Sequence, residues 1–437
     1  MKLNLSFNDR HRAILRIALP AIITNVTTPI LGLVDIAIVG HFGSAAYIGA
    51  IAVGSSLFNM VYWLLNFLRA GTSGLTAQAV GEGSLAKRDT IFWRGLLIGL
   101  SLGLLTLIIS PLLSAVFLPF MDADAETLDL ASGYFQIVII GAPPYLATYA
   151  ITGWLLGCQN SVATLKIALL TNLLNIALSL LFVFGCGMKI EGVALGTALS
   201  QWTGCIFALG LVRRQYRPQR FPFLHIFKGA ELKRFFKINI DIFLRTACLV
   251  AVTLWFTRTG AKMGTDILAA NALLMQLFLL FSFFMDGFAY AGEAIAGKEL
   301  GAGRIESVRR LERDLLRWGL GLALVGVAVY FFCGEFILGL LTREEGVRIV
   351  AKDYTPWAVT IPLFGFMAFI YDGVFIGMTL TRKMLLSMAM AMSVFFLTYF
   401  LLQRSWGNHA LWLAFSLYLL TRGVAQFFLL RFHKSSH

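Results

Sequence analysis

The amino-acid sequence predicts an all-α membrane protein of about twelve transmembrane helices in two pseudo-symmetric six-helix bundles. Three observations predict it. Mean hydropathy is +0.78 over 437 residues, apolar stretches of about 20 residues recur along the whole chain, and charge collects in alternate connections. A chain this apolar leaves no room for a soluble domain. Backbone groups in hydrocarbon must be hydrogen-bonded within their own segment, and no stretch alternates as a barrel strand would, so the spans are helical.

The spans centre on residues 13–40, 47–80, 92–118, 133–157, 162–186, 191–213, 236–260, 267–298, 315–341, 353–381, 384–403 and 408–430. The first follows a basic start (Lys2, Arg10, Arg12, Arg16) and contains Pro20 and Pro29. It exceeds signal-peptide length and has no small-residue cleavage site, so it reads as an uncleaved span. The next basic connections are Lys87, Arg88 and Arg94, then the stretch 213–237, then 298–317, then Arg382 and Lys383. Between them, 41–47, 119–132 and 404–409 carry almost no Lys or Arg, and 342–353 balances its bases with Glu344, Glu345 and Asp353. Roughly three quarters of the basic residues therefore fall on one side, which places both termini and the central connector in the cytoplasm. The net charge of +13 reports this topology and contact with anionic lipid, and implies no nucleic-acid partner.

Shifting the sequence by 220 residues brings its halves into register. FLRAGTSGLTAQAVGEGSLAKR (67–88) lies over GFAYAGEAIAGKELGAGRIESV (287–308), and TGWLLG (152–157) over DGVFIG (372–377). Gly81, Gly83, Gly153 and Gly157 then match Gly301, Gly303, Gly373 and Gly377. Six spans per half make this a parallel repeat, with residues 1–213 as an N-terminal lobe, 214–235 as a cytoplasmic linker and 236–437 as a C-terminal lobe. Chance likeness between small-residue-rich helices is the competing explanation, and the matched loop charge speaks against it.

Asp35 leads the candidate functional residues. A charge inside a bilayer costs at least about 2.5–3.5 kcal/mol, so an intramembrane acid facing a cavity is by default functional. Asn25, Thr28, Gly32 and Asp35 fall at i, i+3, i+7 and i+10, on one face of the helix. The alternative is a carboxyl kept against a donor for packing. The fifth span sets Asn172, Asn175 and Ser179 on one face, and the sixth sets Thr197 and Gln201 one turn apart. Beside these, Gly192, Gly196, Ser200 and Gly204 form a seam of small residues that lets helices approach closely. For the amides and hydroxyls, interhelical hydrogen bonding competes with transport as the explanation.

The second half offers Asp286, Tyr290 and Glu293 on one face of the eighth span, and Asp372 in the tenth. Asp372 lies about ten residues, or roughly 15 Å, from the basic end. Asp241 and Arg245 stand i, i+4 and can neutralise each other as a structural pair. Arg69 has no acid on its own segment, and Asp286 is a candidate partner. Five scattered cysteines have no metal spacing, and no Walker A, HExxH or GxSxG sequence occurs. The chain is therefore expected to be no enzyme, to hold no metal or cofactor, and to draw energy from an ion gradient or from the solute itself.

LGLVDIAIVGHFGS (31–44), GLTAQAVGEG (74–83), GWLLGCQN (153–160), EGVALGTALSQ (191–201), MDGFAYAGEA (285–294) and YDGVFIG (371–377) occur in one order along nearly the whole chain. This set resembles the DinF-like branch of the multidrug and toxic compound extrusion (MATE) family. The resemblance implies two six-helix lobes that export drug-like, amphipathic or cationic compounds in exchange for H+ or Na+. It places the coupling acid on Asp35 and a helix bend at Pro20, and adds Asn175 and Thr197 to the site. Relatives commonly carry a second Asp four residues after that Asn, where this chain has Ser179. Other relatives use acids of the C-terminal lobe, and Asp286 and Asp372 are similar in placement. Glu293, Tyr371, Asn25, Thr28 and Gln201 complete the secondary candidates.

The expected protein is a monomeric secondary antiporter bound to the lipid bilayer. A flippase for lipid-linked precursors would share this architecture but needs a strongly basic cavity, whereas the interior charges here are mixed. A membrane-embedded lipid enzyme would need a clustered nucleophile and base, which the sequence does not present.

Overall fold

The computed structural model of the protein describes residues 7–40, 45–121, 124–219, 229–342 and 344–434. Among them there is no strand, and twelve helical spans are long and apolar enough to cross a membrane. In chain order the helices are α1 (Phe7–Gly40), α2 (Ala45–Leu65), α3 (Phe67–Gly81), α4 (Leu85–Phe117), α5 (Ala125–Val138), α6 (Ala142–Gly157), α7 (Ser161–Leu180) and α8 (Ile190–Tyr216). They continue as α9 (Gly229–Lys262), α10 (Thr265–Gly301), α11 (Ile305–Leu341), α12 (Glu345–Gly377), α13 (Thr381–Trp406) and α14 (Asn408–Lys434). α2 and α3 together make one span and meet at Asn66; α5 and α6 make another, joined by a 3-10 turn at Ile139–Gly141. Helix starts are capped where the sequence supplies an acceptor. Ser84 Oγ takes the Lys87 N–H at 3.3 Å, Asp124 Oδ1 that of Thr127 at 2.9 Å, and Asn160 Oδ1 that of Ala163 at 3.1 Å.

Two ranges differ from the sequence reading. α9 begins at Gly229, inside the stretch read as connector, and α11 begins at Ile305, ten residues before the ninth span was placed. Charged residues hid both helix starts: a helix that emerges from the bilayer keeps its backbone bonds while its side chains become polar.

The helices group into two compact units. Ile23–Asn239 form the first; the second holds the chain up to Ile22 together with the chain from Ile240 onward. Each is built on the same neighbour pattern. In the first, α3 packs on α6, α4 on α6, α7 on α8 and α6 on α8; in the second, α10 packs on α12, α11 on α12, α13 on α14 and α12 on α14.

The 220-residue repeat returns in the backbone. Left-handed turns fall at Gly83 and Gly303 (φ 71° and 72°) and at Gln159 and Thr379 (φ 60° and 54°). Gly153 lies against the Arg69 backbone and Gly373 against that of Ala289; Gly157 lies against the Ser73 carbonyl and Gly377 against that of Glu293. All four contacts shift by the same 220 positions. Only a residue without Cβ permits helix backbones to approach this closely.

The leading helix of each half is divided between the units. The first turns of α1 pack in the second unit, where Arg10 Nε bonds Asp314 Oδ2 at 2.8 Å and Trp318 Nε1 donates to His11 Nδ1 at 2.9 Å. The first turns of α9 pack in the first unit, where Arg94 Nη2 reaches Glu231 Oε2 at 3.2 Å and Arg234 donates to Gln78 at 3.0 Å. Arg94 and Asp314 are 220 residues apart, so the repeat conserves this tie with its signs reversed.

Replacing Gly373 by Ala should lower stability by about 1–3 kcal/mol or more, because the methyl would strike the Ala289 backbone. Gly133→Ala in α5, where nothing lies within 4 Å, should be neutral or stabilising by up to about 1 kcal/mol. Thermal unfolding in detergent compares them, and equal midpoints would show that the close approach is not limiting.

Candidate ion-coupling site

Asp35 lies on the part of α1 that belongs to the first unit. Val34 and Ile36 beside it, with Ile38 and Val39 one turn on, pack into that unit's apolar core, which includes Ala50, Leu57, Tyr134 and Val193. This packing leaves the carboxyl 7% exposed, and its Oδ1 is buried with no hydrogen-bond partner among the described residues. An unmatched buried carboxyl oxygen is costly.

A polar lane runs from this carboxyl across four helices. Asp35 acts electrostatically on Tyr134 of α5, whose hydroxyl stands 3.4 Å from Ser55 Oγ of α2 and neighbours Thr197 of α8. Thr197 Oγ1 accepts from Asn175 Nδ2 of α7 at 2.9 Å and donates to the Val193 carbonyl at 3.0 Å. Asn175 and Ser179 are 1% and 0% exposed, and Asn175 Oδ1 and Ser179 Oγ are buried without hydrogen-bond partners among the described residues. The small-residue seam of α8 sets this spacing. A Cβ on Gly196 would stand 2.8 Å from Ser179 N and Oγ. Immediately past Ser179 the helix loosens into a π turn, Leu181–Gly185, a local irregularity that recurs at functional sites.

Of the sequence candidates, the structure links Asp35, Asn175 and Thr197 through Tyr134, with Ser179 one turn beyond Asn175. The rest of the stripe on α1 is less uniform. Asn25 is half-buried, Gly32 is exposed with open space around it, and the side chain of Thr28 lies outside the described residues. Gln201 is half-buried, and a Cβ on Gly141, at the α5–α6 junction, would stand 3.4 Å from its side chain. α1 continues as helix through Pro20 and Pro29. Arg69 donates to Asn66 at 3.2 Å, at the α2–α3 break.

The second unit corrects two readings. Asp241 and Arg245 do not pair along α9: Asp241 accepts the Thr381 hydroxyl at 2.8 Å, and Arg245 turns to Asp372. A buried guanidinium is held best by a carboxylate that is itself buried. Asp372, read as a candidate cation ligand, has both oxygens occupied by donors. Arg245 and Arg422 share Oδ2, and Gln426 Nε2 donates to Oδ1 at 2.6 Å. Glu293 is 1% exposed, Tyr371 is fully buried and donates to Glu312 at 2.9 Å, and Asp286 acts on both arginines through its charge.

Sequence reasoning missed Tyr134, Ser55, Arg422, Gln426 and Glu312. A basic residue nine positions before Arg431, inside the last apolar span, was the available signal for Arg422.

The MatE family's sequence model matches residues 20–181 and again 241–401, one copy on each half. The chain belongs to the MatE family. It is 35% identical to DNA damage-inducible protein F of Escherichia coli, over 95% of this chain and 90% of that one. It is 24% identical to a probable multidrug resistance protein NorM of Listeria monocytogenes, over 79% and 77%. Its fold matches the outward-facing structure of a multidrug resistance MATE family transporter with a TM-score of 0.87 at 18% identity, covering 98% and 96%. MatE members are transporters, so this chain is a polytopic transporter and not an enzyme.

Thr197→Val should strand the Asn175 amide at a cost of about 1–3 kcal/mol, while Thr197→Ser, which keeps the acceptor, should cost less. Thermal unfolding of the two variants checks this, and equal losses would show that the hydroxyl is not what holds Asn175.

Proposed function

We propose that the protein is a secondary antiporter that exports drug-like amphipathic or cationic compounds in exchange for protons, with Asp35 as the coupling group. The observation that carries this reading is the buried Oδ1 of Asp35, open to a proton or a ligand at the head of a polar lane. A carboxylate held ready in this way favours a cationic solute when ionised and releases it when protonated. Its membership in MatE, and the likeness to relatives named for multidrug resistance, support the substrate class. One proton per cycle supplies about 1.4 kcal/mol per pH unit and about 2.3 kcal/mol per 100 mV, enough for a solute gradient of roughly tenfold to several hundredfold. On this reading the protein works as a monomer in the bacterial inner membrane with both termini in the cytoplasm, as the distribution of Lys and Arg indicates.

One observation favours sodium as a second reading. Asp35 Oδ1, Asn175 Oδ1 and Ser179 Oγ are all buried oxygens without hydrogen-bond partners among the described residues, the donor type a hard monovalent or divalent cation selects. Proteoliposomes with a pH gradient or a sodium gradient imposed separately distinguish the two. Under the first reading, wild-type efflux of a cationic dye follows the pH gradient alone, and Asp35→Asn falls to the rate of protein-free vesicles while remaining folded. Undiminished coupled efflux by Asp35→Asn would remove this residue from the mechanism. Ser179→Asp adds a second carboxylate and should raise the response to sodium.

A further inference from the structure

Asp372 is a poor match for the cations around it. Arg245 and Arg422 both converge on Oδ2, while Oδ1 is left to the neutral amide of Gln426. A guanidinium carries five N–H donors in a fork suited to two acceptor oxygens. Here one carboxylate serves two of them and neither is bidentate; Arg422 also hydrogen-bonds the Tyr418 hydroxyl. Nε of both arginines and Oε1 of Gln426 are buried without hydrogen-bond partners among the described residues. The Arg422 side chain is 3% exposed and Gln426 is fully buried. Arg245, at 18%, is the more open of the two. Asp286 offsets the charge at longer range.

Apolar rings border the cluster. Arg422 lies over Phe369 at 5.8 Å, Phe278 is 6.2 Å from Phe369 and 5.2 Å from Phe415, and Phe415 stacks on Tyr418 at 5.9 Å. Surplus guanidinium donors beside aromatic faces suit a molecule with an anionic head and an apolar body.

We infer that Arg245 and Arg422 form a subsite for the oxyanion group of an amphipathic organic anion, a carboxylate, sulfonate or phosphate ester, with Asp372 as the resident counter-ion that holds the pair while the subsite is empty. An entering oxyanion supplies an acceptor for the Nε that each fork leaves unfilled. The subsite belongs to the second unit and is independent of coupling at Asp35.

Binding to the full-length purified protein tests it without any ion gradient. Benzenesulfonate and phenyltrimethylammonium have the same ring and opposite charge. Benzenesulfonate is expected to bind the wild type, to bind Arg422→Gln about tenfold or more weakly, and to be only partly rescued by Arg422→Lys. Phenyltrimethylammonium affinity should not follow this order. Asp372→Asn keeps both guanidiniums and removes their competitor, so it should bind benzenesulfonate more tightly than wild type; a purely structural role for the arginines predicts no gain. The proposal is overturned if benzenesulfonate fails to bind the wild type, or binds wild type and Arg422→Gln alike. Should Arg422→Gln not fold, equal or weaker binding by Asp372→Asn overturns it. Repeating the titration in nanodiscs with and without phosphatidylglycerol identifies the source of the oxyanion. Competition points to a lipid headgroup, and indifference to a free amphiphile.

Discussion

Hydrocarbon offers a charge nothing to bind, so a buried ionic group must be matched by the protein or held ready for a partner from outside. The two units meet this constraint in different ways. In the first, Asp35 stands beside the neutral Tyr134 hydroxyl with one oxygen unfilled. In the second, Asp372 is surrounded by donors and the surplus lies with the cations. The first arrangement leaves an acceptor open and the second leaves donors open. Their chemistry is therefore complementary, although the scaffolds that present them are nearly the same.

The likeness of the scaffolds rests on glycine. Where Gly153, Gly157, Gly373 and Gly377 let backbones touch, the chain has little freedom to diverge, and both halves keep the same turns 220 residues apart. Side chains on the same framework are free to change. Thr152, at the position equivalent to Asp372, returns its hydroxyl to the Thr148 and Tyr149 carbonyls of its own helix. Helix regularity diverges as well. The break at Asn66, the 3-10 turn at Ile139–Gly141 and the π turn after Ser179 all lie in the first unit, whereas α10 and α12 run unbroken in the second. Irregular backbone inside a membrane protein needs polar support, which the lane around Tyr134 and Thr197 can provide.

Much of this was legible in the sequence. Hydropathy located the twelve spans and the glycine register located the repeat, because both follow from local composition. Asp35, Asn175 and Thr197 were found as polar residues in apolar stretches. Tyr134 was not, since a tyrosine in an apolar helix is usually packing, and only the tertiary fold brings its hydroxyl to Thr197. Asp241 and Arg245 look like a pair because helical neighbours are visible in sequence, while the Arg245–Asp372 contact spans 127 residues and depends on how α9, α12 and α14 pack. The starts of α9 and α11 are obscured in the sequence because their charged first turns resemble a loop.

The division of α1 and α9 between the units bears on how the chain is made. The first unit includes residues up to Asn239, beyond its own six spans, and the second includes the chain up to Ile22, which is synthesised first. The earliest turns of α1 therefore meet neighbours such as Asp314 and Trp318 only after those residues have been synthesised. Cutting the chain within 220–228 would leave two fragments, each carrying a piece that belongs to the other, as in a domain swap fixed within one polypeptide.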